Sequence, residues 1–349
     1  VFLTFARLPV ILINALGVVG IFLLARKLFG HTIALLAALL IALDPFIAGL
    51  SGLLHVDGLL TTFSTLSVLA LLIAIQPSPQ PFSSARTGIK GEGWFALAGL
   101  FAALAFLSKS PAIFLTPFTF LAIISALLLK RISLRSALLG LLAFILCQLA
   151  FVVLLYPAMW RDPIGTLQGI LGLAAFYSTN AVRPTFFDGQ YVLNHGLSFY
   201  PTALIYRLSP IVLLGLIAAL VVLLLSARRT GHSTKPNLEP AKRPGNEAGM
   251  DLALLLVFAL LFIIFITPVA KKYDRYMLPA LPMLVFIAAW GLDLFISRIS
   301  RQSAFLTRYS LFIIIACQLV ITSTSWPYLL MNYNPLLGGA LEAQKHFAV

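Results

Sequence analysis

Charged residues are scarce in this sequence. Only 10% of its 349 residues are Asp, Glu, Lys or Arg, and 60% are hydrophobic, whereas a soluble globular domain carries about 25% charged residues. The chain has too little polar surface to stay dispersed in water, which excludes an ordinary soluble domain. Cysteine is also rare. Cys147 and Cys317 lie in apolar runs, belong to no CxxC or Cys/His cluster, and are predicted to be small packing residues.

Several catalytic signatures are missing as well. The sequence contains no Walker loop, no HExxH, no GxSxG and no GxGxxG motif, which argues against an ATP-driven machine, a zinc protease and a serine hydrolase. The net charge of +13 raises the question of nucleic acid. However, the Lys and Arg residues lie in short loops between apolar runs, as they do in membrane proteins, so no nucleic-acid partner is predicted.

Long apolar runs dominate the rest of the sequence. A helix needs ~20 mainly apolar residues to cross the hydrocarbon core of a membrane, and several runs reach this length with their flanks. The sequence therefore predicts an all-α fold, a polytopic transmembrane helical bundle with about ten spans. The predicted helices are Arg7–Ala25, His31–Leu50, Asp57–Ile75, Trp94–Leu107, Pro111–Leu129, Ser136–Tyr156, Ser209–Ser226, Leu252–Pro268, Leu278–Ser297 and Tyr309–Trp326.

The loop charges predict an orientation for these helices. Of the 24 Lys and Arg residues, 15 fall on one side and the other nine on the opposite side, and the richer side is assigned to the cytoplasm. Both ends of the chain are then expected outside. The sequence starts within an apolar run and stops soon after a polar stretch begins, so further residues are expected before Val1 and after Val349.

The loops divide the chain into parts. Residues 1–326 are predicted to form the transmembrane domain, and residues 327–349 to begin an outer C-terminal segment. Residues 76–93 and 227–251 are rich in Pro, Gly and polar residues, which predicts flexible cytoplasmic linkers. The outer loop 157–208 is rich in aromatic residues, which is typical of the membrane–water interface. Within it, Gly165–Tyr177 is a candidate amphipathic helix lying on the membrane.

Two acids lie near the predicted outer ends of helices. Asp57 follows His55 at the outer mouth of the third helix. An ionisable residue at membrane depth is expensive and usually functional, but Asp also favours the N-cap position of a helix, and both roles can hold together. Asp44 precedes Pro45 and is predicted to mark a turn or a helix stop.

Four cations lie on the side where the orientation rule disfavours them. Lys109 occupies a very short outer loop, and Lys271, Lys272 and Arg275 precede an apolar helix. Such cations can hold a phosphate or diphosphate by charge-assisted hydrogen bonds. Contact with ordinary anionic headgroups and snorkelling of Lys109 are the alternatives. If a helix starts at this cluster, Lys271 or Lys272 shares one face with Arg275, and Asp274 is free to pair with another cation.

These segments resemble the protein O-mannosyltransferase and aminoarabinose transferase group of the GT-C membrane glycosyltransferases. The resemblance covers nearly the whole chain, and its motifs agree with the membrane sides predicted from charge. They are Ala6–Pro9, Leu24–Gly30, Leu43–Phe46, His55–Leu60, Leu107–Pro111, Tyr156–Pro163, Phe199–Thr202, Arg207–Pro210, Lys271–Pro279 and Asn332–Gly339.

The resemblance implies a multi-pass enzyme of the bacterial plasma membrane that moves a hexose or pentose from a polyprenyl-phosphate donor. The acceptor, a protein, lipid or glycan, would lie on the outer face, and the family's main catalytic acid is expected before Val1. No cofactor is predicted beyond the lipid-linked donor, and a divalent metal is left open. The predicted site residues in this sequence are Asp57 in a catalytic role, Lys109, Lys271, Lys272 and Arg275 at the donor phosphate, and Arg7, His55, Asp274 and Tyr276 elsewhere in the substrate site.

Other classes of membrane protein remain as alternatives. The main one is a transporter or flippase of a lipid-linked or anionic substrate, and a second is an oligosaccharide polymerase or ligase. A transporter is expected to carry charges or Gly/Pro breaks near the middle of its helices. In this sequence the acids and the misplaced cations gather at the outer ends instead, which favours the transferase.

Overall fold

The computed structural model is a helical bundle with a small hairpin and short helical turns at one end. It describes residues 2–77, 91–180, 184–193, 195–230, 246–299 and 304–347. The helices are α1 (Phe2–Phe29), α2 (His31–Leu43), α3 (Pro45–Ser51), α4 (Val56–Ala74), α5 (Gly91–Ser108), α6 (Leu115–Leu128), α7 (Leu134–Leu155), α8 (Ala158–Arg161), α9 (Pro163–Thr179), α10 (Phe199–Arg207), α11 (Pro210–Thr230), α12 (Asn246–Ile266), α13 (Leu281–Ile299), α14 (Ala304–Ser323) and α15 (Gly339–Ala343).

The predicted fold class is confirmed. Within the described residues, seven helices are long and apolar enough to cross a membrane, nine if each of two bent pairs counts as one span, and Tyr309–Ser323 is a shorter apolar helix. Each predicted span therefore has a counterpart. The span expected to be short, Trp94–Leu107, belongs to a helix of 18 residues, Gly91–Ser108.

Helix α4 lies at the centre of the bundle. Of its most apolar stretch 78% is buried, and it packs between α1 and α5, while α5 packs in turn on α7. Small residues permit these close approaches, as is usual between membrane helices. A Cβ on Gly99 of α5 would overlap the carbonyl of Phe144 in α7, and a Cβ on Gly291 of α13 would overlap the carbonyl of Gly215 in α11.

The predicted helix His31–Leu50 is two helices that meet at an angle of 64°. Asp44 is the N-cap of α3, and its Oδ1 accepts hydrogen bonds from the backbone N–H groups of Phe46 and Ile47, both at 3.0 Å. Pro45 at the first helical position is compatible with this cap because it needs no N–H partner. Asp44 is therefore the helix stop that its Asp-Pro pair predicts.

The region 157–208, predicted as a loop, contains regular structure. Helix α9 covers the predicted Gly165–Tyr177 helix and extends it at both ends, and its position on a membrane remains a prediction. Strands β1 (Thr185–Phe187) and β2 (Gln190–Val192) form an antiparallel hairpin. Its two turn residues, Asp188 and Gly189, both have positive φ, as a type I′ turn requires.

The chain after α14 folds back onto this hairpin. Short 3₁₀ turns at Leu329–Met331 and Pro335–Leu337 lead into α15, and the backbone N–H of Asp188 donates to the carbonyl of His346 at 3.2 Å. The segments predicted to be outside thus lie together at one end of the bundle. Most of each predicted linker falls outside the described residues, but the linker boundaries were too wide, since residues 91–93, 227–230 and 246–251 are helical.

Candidate functional site

The start of α4 places a buried carboxylate at the end of the bundle where the predicted outer loops meet. Asp57 lies in the first turn of α4 and is 1% exposed, in the position where a helix dipole favours an acid. His55 is the N-cap residue, and its Nδ1 accepts the backbone N–H of Asp57 at 3.3 Å. The alternative in which Asp57 itself caps the helix is therefore wrong, because His55 already does so.

Two cations converge on the Asp57 carboxylate. Lys109 lies between α5 and the 3₁₀ turn Ser110–Phe114, and its Nζ is 2.5 Å from Asp57 Oδ1. Arg275 approaches from the turn before α13, with Nε 3.4 Å from Asp57 Oδ2. The side chains of Lys109 and Arg275 are 22% and 35% exposed, so each keeps a solvent-accessible part. We call Asp57, Lys109 and Arg275 the cation site.

The contact between Arg275 Nε and Asp57 Oδ2 is not a complete hydrogen bond. Both Asp57 Oδ2 and Arg275 Nε are buried atoms without a hydrogen-bond partner within the described ranges. At 3.4 Å the two groups attract each other by charge, but the contact is too long for a well-formed N–H···O bond. The Arg275 guanidinium therefore keeps unused donor capacity next to a carboxylate that holds it in place.

Two tyrosines wall the cation site. The Lys109 ammonium lies 4.0 Å from the ring centroid of Tyr276, and the Arg275 guanidinium carbon lies 4.5 Å from that of Tyr273. Cation–π contacts of this kind hold the charged heads at defined positions. Tyr276, predicted to belong to the substrate site, therefore lies beside Lys109, and Tyr273, which was not singled out, lies beside Arg275.

His55 caps α4 and also lies beside the Asp57 carboxylate. Burial lowers the pKa of His55 below its ordinary value; the Asp57 charge opposes this shift, and the charges of Arg275 and Lys109 add to it. In the neutral ring Nδ1 can accept the Asp57 N–H only if the proton is on Nε2. Nδ1 also lies 3.0 Å from Asp57 Oδ2, and this contact is an ion pair when the ring is protonated.

Lys271 and Lys272 lie apart from the Asp57 carboxylate. They precede the 3₁₀ turn Asp274–Ala280 in non-helical backbone, so the prediction that one of them shares a helix face with Arg275 is wrong. The Lys271 ammonium lies 4.8 Å from the ring centroid of Tyr177 in α9. Lys272 is 4% exposed, and its Nζ donates to the carbonyl of Gly196 at 2.5 Å.

Asp274 pairs with a cation that sequence reasoning did not single out. Arg207, the last residue of α10, places Nη2 2.6 Å and Nε 2.8 Å from Asp274 Oδ2. This fulfils the expectation that Asp274 pairs with another cation. Arg207 had one available signal, its place in the Arg207–Pro210 motif, but nothing in the sequence indicated its partner.

The last predicted residue, Arg7, lies in the second turn of α1. Its Nε is buried without a hydrogen-bond partner within the described part of the chain, and the ion pairs of Asp57 are made by other residues. As for metals, no three His, Cys, Asp or Glu side chains among the described residues come together as ligands.

The cation site has an excess of positive charge. The single carboxylate of Asp57 faces two cationic side chains, Lys109 and Arg275, and the charge of Lys271 also acts on Lys109. Burial lowers the pKa of Lys109 below that of an exposed lysine, although the charge and hydrogen bond of Asp57 oppose the shift. Such a site suits an anion that can accept hydrogen bonds from both Lys109 and Arg275.

Comparison with known proteins agrees with this fold. Residues 3–160, which include Asp57 and Lys109, match the family described as dolichyl-phosphate-mannose-protein mannosyltransferase. No curated protein sequence matches the chain. The crystal structure of ArnT from Cupriavidus metallidurans bound to undecaprenyl phosphate is similar, with a TM-score of 0.54, 16% identity, and coverage of 97% of this chain and 60% of that chain.

The apo structure of the same ArnT has a TM-score of 0.52 at the same identity and coverage. The chain thus spans 60% of the length of the ArnT structures it matches. The likeness to the ArnT structures shows that the chain shares their helical fold. The family match is confined to residues 3–160 of the 349.

Proposed function

We propose that the chain forms the membrane part of a glycosyltransferase that moves a sugar from a polyprenyl-phosphate donor to an acceptor at the outer face of the membrane. The observation that carries this proposal is the cation site, in which Lys109 and Arg275 meet on the buried carboxylate of Asp57. The undecaprenyl phosphate bound to the similar ArnT structure supports a lipid phosphate as the ligand.

The proposed reaction breaks the bond between the anomeric carbon of the sugar and the phosphate oxygen. An acceptor oxygen attacks that carbon, loses its proton, and forms the new glycosidic bond, while the polyprenyl phosphate leaves with the bonding electrons. Negative charge develops on the departing phosphate, and preorganised cations stabilise this charge in the transition state. In the proposed site, Lys109 and Arg275 donate to the phosphate oxygens.

Asp57 is assigned to positioning these cations. Its Oδ1 is bound to Lys109 and its Oδ2 faces Arg275, so neither oxygen is directed at a substrate. Without this carboxylate, the two cations would repel each other when no phosphate is bound. We therefore infer that Asp57 keeps the site assembled between turnovers and that the acceptor's proton is taken elsewhere.

A specific phosphate ligand explains the cation site better than general contact with lipid headgroups. Lysines that contact headgroups can do so from an exposed position and need no buried partner. Lys109 instead pays the desolvation cost of a mostly buried ammonium and is held by Asp57 and by the Tyr276 ring. Lys271 lies nearby and is assigned a supporting role, whereas Lys272 is bound to the Gly196 carbonyl and is left out of the donor site.

The donor class can be tested with the full-length protein in liposomes. Radiolabelled undecaprenyl-phosphate-linked hexoses and pentoses are supplied, and transfer to protein, lipid and glycan fractions is measured. Each charge-assisted hydrogen bond to the leaving phosphate is worth ~1.5–3 kcal/mol, so Lys109→Gln or Arg275→Gln should slow transfer by roughly 10- to 150-fold.

Arg161→Gln is the matched control, because Arg161 is an exposed cation at the end of α8 and lies outside the cation site. Normal transfer by both Lys109→Gln and Arg275→Gln would refute the proposal. Movement of intact donor across the membrane without transfer of the label would instead identify a flippase.

A further inference from the structure

Arg207 is buried, and all three nitrogens of its guanidinium donate hydrogen bonds. Its side chain is 7% exposed. Nε donates to Asp274 Oδ2 at 2.8 Å, and Nη2 donates to the Tyr333 hydroxyl at 2.9 Å. Nη1 donates to the carbonyls of Leu330 and Asn332, at 2.7 and 3.0 Å. A buried charge is expensive unless it is fully paired, and here the pairing is complete.

Two aromatic rings fix the plane of this guanidinium. Its central carbon lies 4.4 Å from the ring centroid of Phe46 in α3 and 3.9 Å from that of Tyr333. A lysine could keep the charge at this position, but its point-like ammonium cannot reproduce the planar fork or the stacking. The site thus requires an arginine and connects α10, α3, Asp274 and the segment after α14.

The Asp274 carboxylate connects the fixed Arg207 guanidinium to the cation site. One oxygen, Oδ2, is held by Arg207, and the other, Oδ1, accepts the backbone N–H of Arg275 at 2.8 Å. Asp274 therefore fixes the point at which the Arg275 side chain leaves the backbone, in the first residues of the 3₁₀ turn. The Arg275 side chain then reaches Asp57.

We propose that Arg207 is a positioning residue for the donor phosphate. Through Asp274 it sets the placement of Arg275, and through Leu330, Asn332 and Tyr333 it makes that placement depend on the segment that follows α14. This inference rests on the proposed function, because it assigns Arg207 to the phosphate contact of Arg275. Arg207 itself has no donor atom left for a ligand, so it acts on the reaction only through its neighbours.

A double-mutant cycle in the full-length protein tests this coupling. The variants are Arg207→Lys, Arg275→Gln and their combination, and the readouts are sugar transfer and inhibition of transfer by added undecaprenyl phosphate. If Arg207 acts through Arg275, Arg207→Lys alone should weaken inhibition by about tenfold, the loss of roughly one charged hydrogen bond. In the Arg275→Gln background the same change should have little further effect, because the positioned group is gone.

A purely structural role for Arg207 predicts additive losses, and additivity in the cycle would overturn the inference. Tyr333→Phe removes one bond to Nη2 while keeping the ring, so it replaces Arg207→Lys if that variant does not fold. Tyr333→Phe should weaken inhibition by undecaprenyl phosphate, and this loss should likewise not add to that of Arg275→Gln. Arg161→Lys, a change at an exposed cation, controls for charge-preserving substitution.

The cycle also separates this inference from the proposed function. If Arg275→Gln itself leaves transfer and inhibition unchanged, the proposed function fails. If Arg275→Gln weakens both and Arg207→Lys and Tyr333→Phe weaken neither, only the positioning role of Arg207 fails.

Discussion

Asp57 and Lys109 are 52 residues apart in the chain, and their side chains form an ion pair in which Nζ lies 2.5 Å from Oδ1. Asp57 lies in the first turn of α4, and Lys109 directly follows α5. These two helices pack against each other. The antiparallel arrangement of this helix pair therefore brings an acid and a cation to the same end of the bundle. Arg275 completes the site from a third, distant part of the chain.

The first prediction concerns Asp57→Asn. The amide keeps the size of the side chain but removes the charge that holds Lys109 and Arg275 together, so their mutual repulsion should displace them from the phosphate position. We expect transfer to fall at least about tenfold in a protein that still folds. Transfer is measured in liposomes, and thermal unfolding in detergent checks the fold.

Asp57→Glu provides the comparison, since it retains the charge on a longer side chain. It should keep more transfer activity than Asp57→Asn. Wild-type transfer by Asp57→Asn would show that the carboxylate is dispensable for the site.

The second prediction concerns pH. Only the protonated ammonium of Lys109 supplies positive charge at the phosphate, and burial lowers its pKa below the ordinary lysine value. As pH rises, Lys109 therefore loses its charge before an exposed lysine would, and kcat/KM for the donor should fall on the alkaline side below pH ~10.4. The pH profile of kcat/KM measures this limb.

Lys109→Arg identifies the group responsible for that limb. A guanidinium stays charged throughout the accessible range, so the alkaline limb should move to higher pH in this variant even if the maximum rate is reduced. An alkaline limb that stays in place would have to belong to another group.

The third prediction separates Lys272 from Arg275, although they are only three residues apart. Lys272 Nζ is bound to the carbonyl of Gly196, in the segment that follows the β1–β2 hairpin. Lys272→Met should therefore increase amide exchange around residues 195–198 and change inhibition by undecaprenyl phosphate little. Arg275→Met, the matched variant, should give the opposite pattern. A large loss of inhibition by undecaprenyl phosphate in Lys272→Met would show that Lys272 belongs to the donor site after all.

Much of the fold follows from the sequence because hydrophobic length is a local property. All ten predicted spans have helical counterparts, since a run of ~20 apolar residues leaves few other structures in a membrane. The bend at Asp44 was also readable, because an Asp-Pro pair both caps the next helix and ends the preceding one. The hairpin at residues 185–192 was missed, although Asp188-Gly189 is a recognised hairpin turn sequence, because the part of the loop after Tyr177 was interpreted only by its aromatic content.

The candidate site was predictable where a charge was out of place, and less so where its partner decided its role. Asp57, Lys109 and Arg275 were noticed because charges near the membrane are costly. The pairing of Arg207 with Asp274, 67 residues away, has no local signal. The same is true of Lys272, whose acceptor is a backbone carbonyl, a group that every residue carries. Long-range pairing of this kind is fixed by helix packing, which composition and spacing do not specify.

The last prediction concerns which face of the membrane the cation site occupies. The structure gathers Asp57, Lys109 and Arg275 at one end of the bundle, and places the Arg131–Asp251 ion pair at the junction of α12 with the turn before α7, away from that site. The uneven distribution of Lys and Arg assigns the cation-site end to the outside.

Reporter fusions after Lys130, and within residues 230–240, should therefore report cytoplasm. Fusions within residues 184–193, in the hairpin, should report the outer compartment. Charge-neutral insertions of the same length at these positions control for disturbed insertion. The residue 230–240 fusion decides the outcome, because an outside signal there would invert the bundle and place the donor phosphate site in the cytoplasm, where a preloaded lipid donor would not be required.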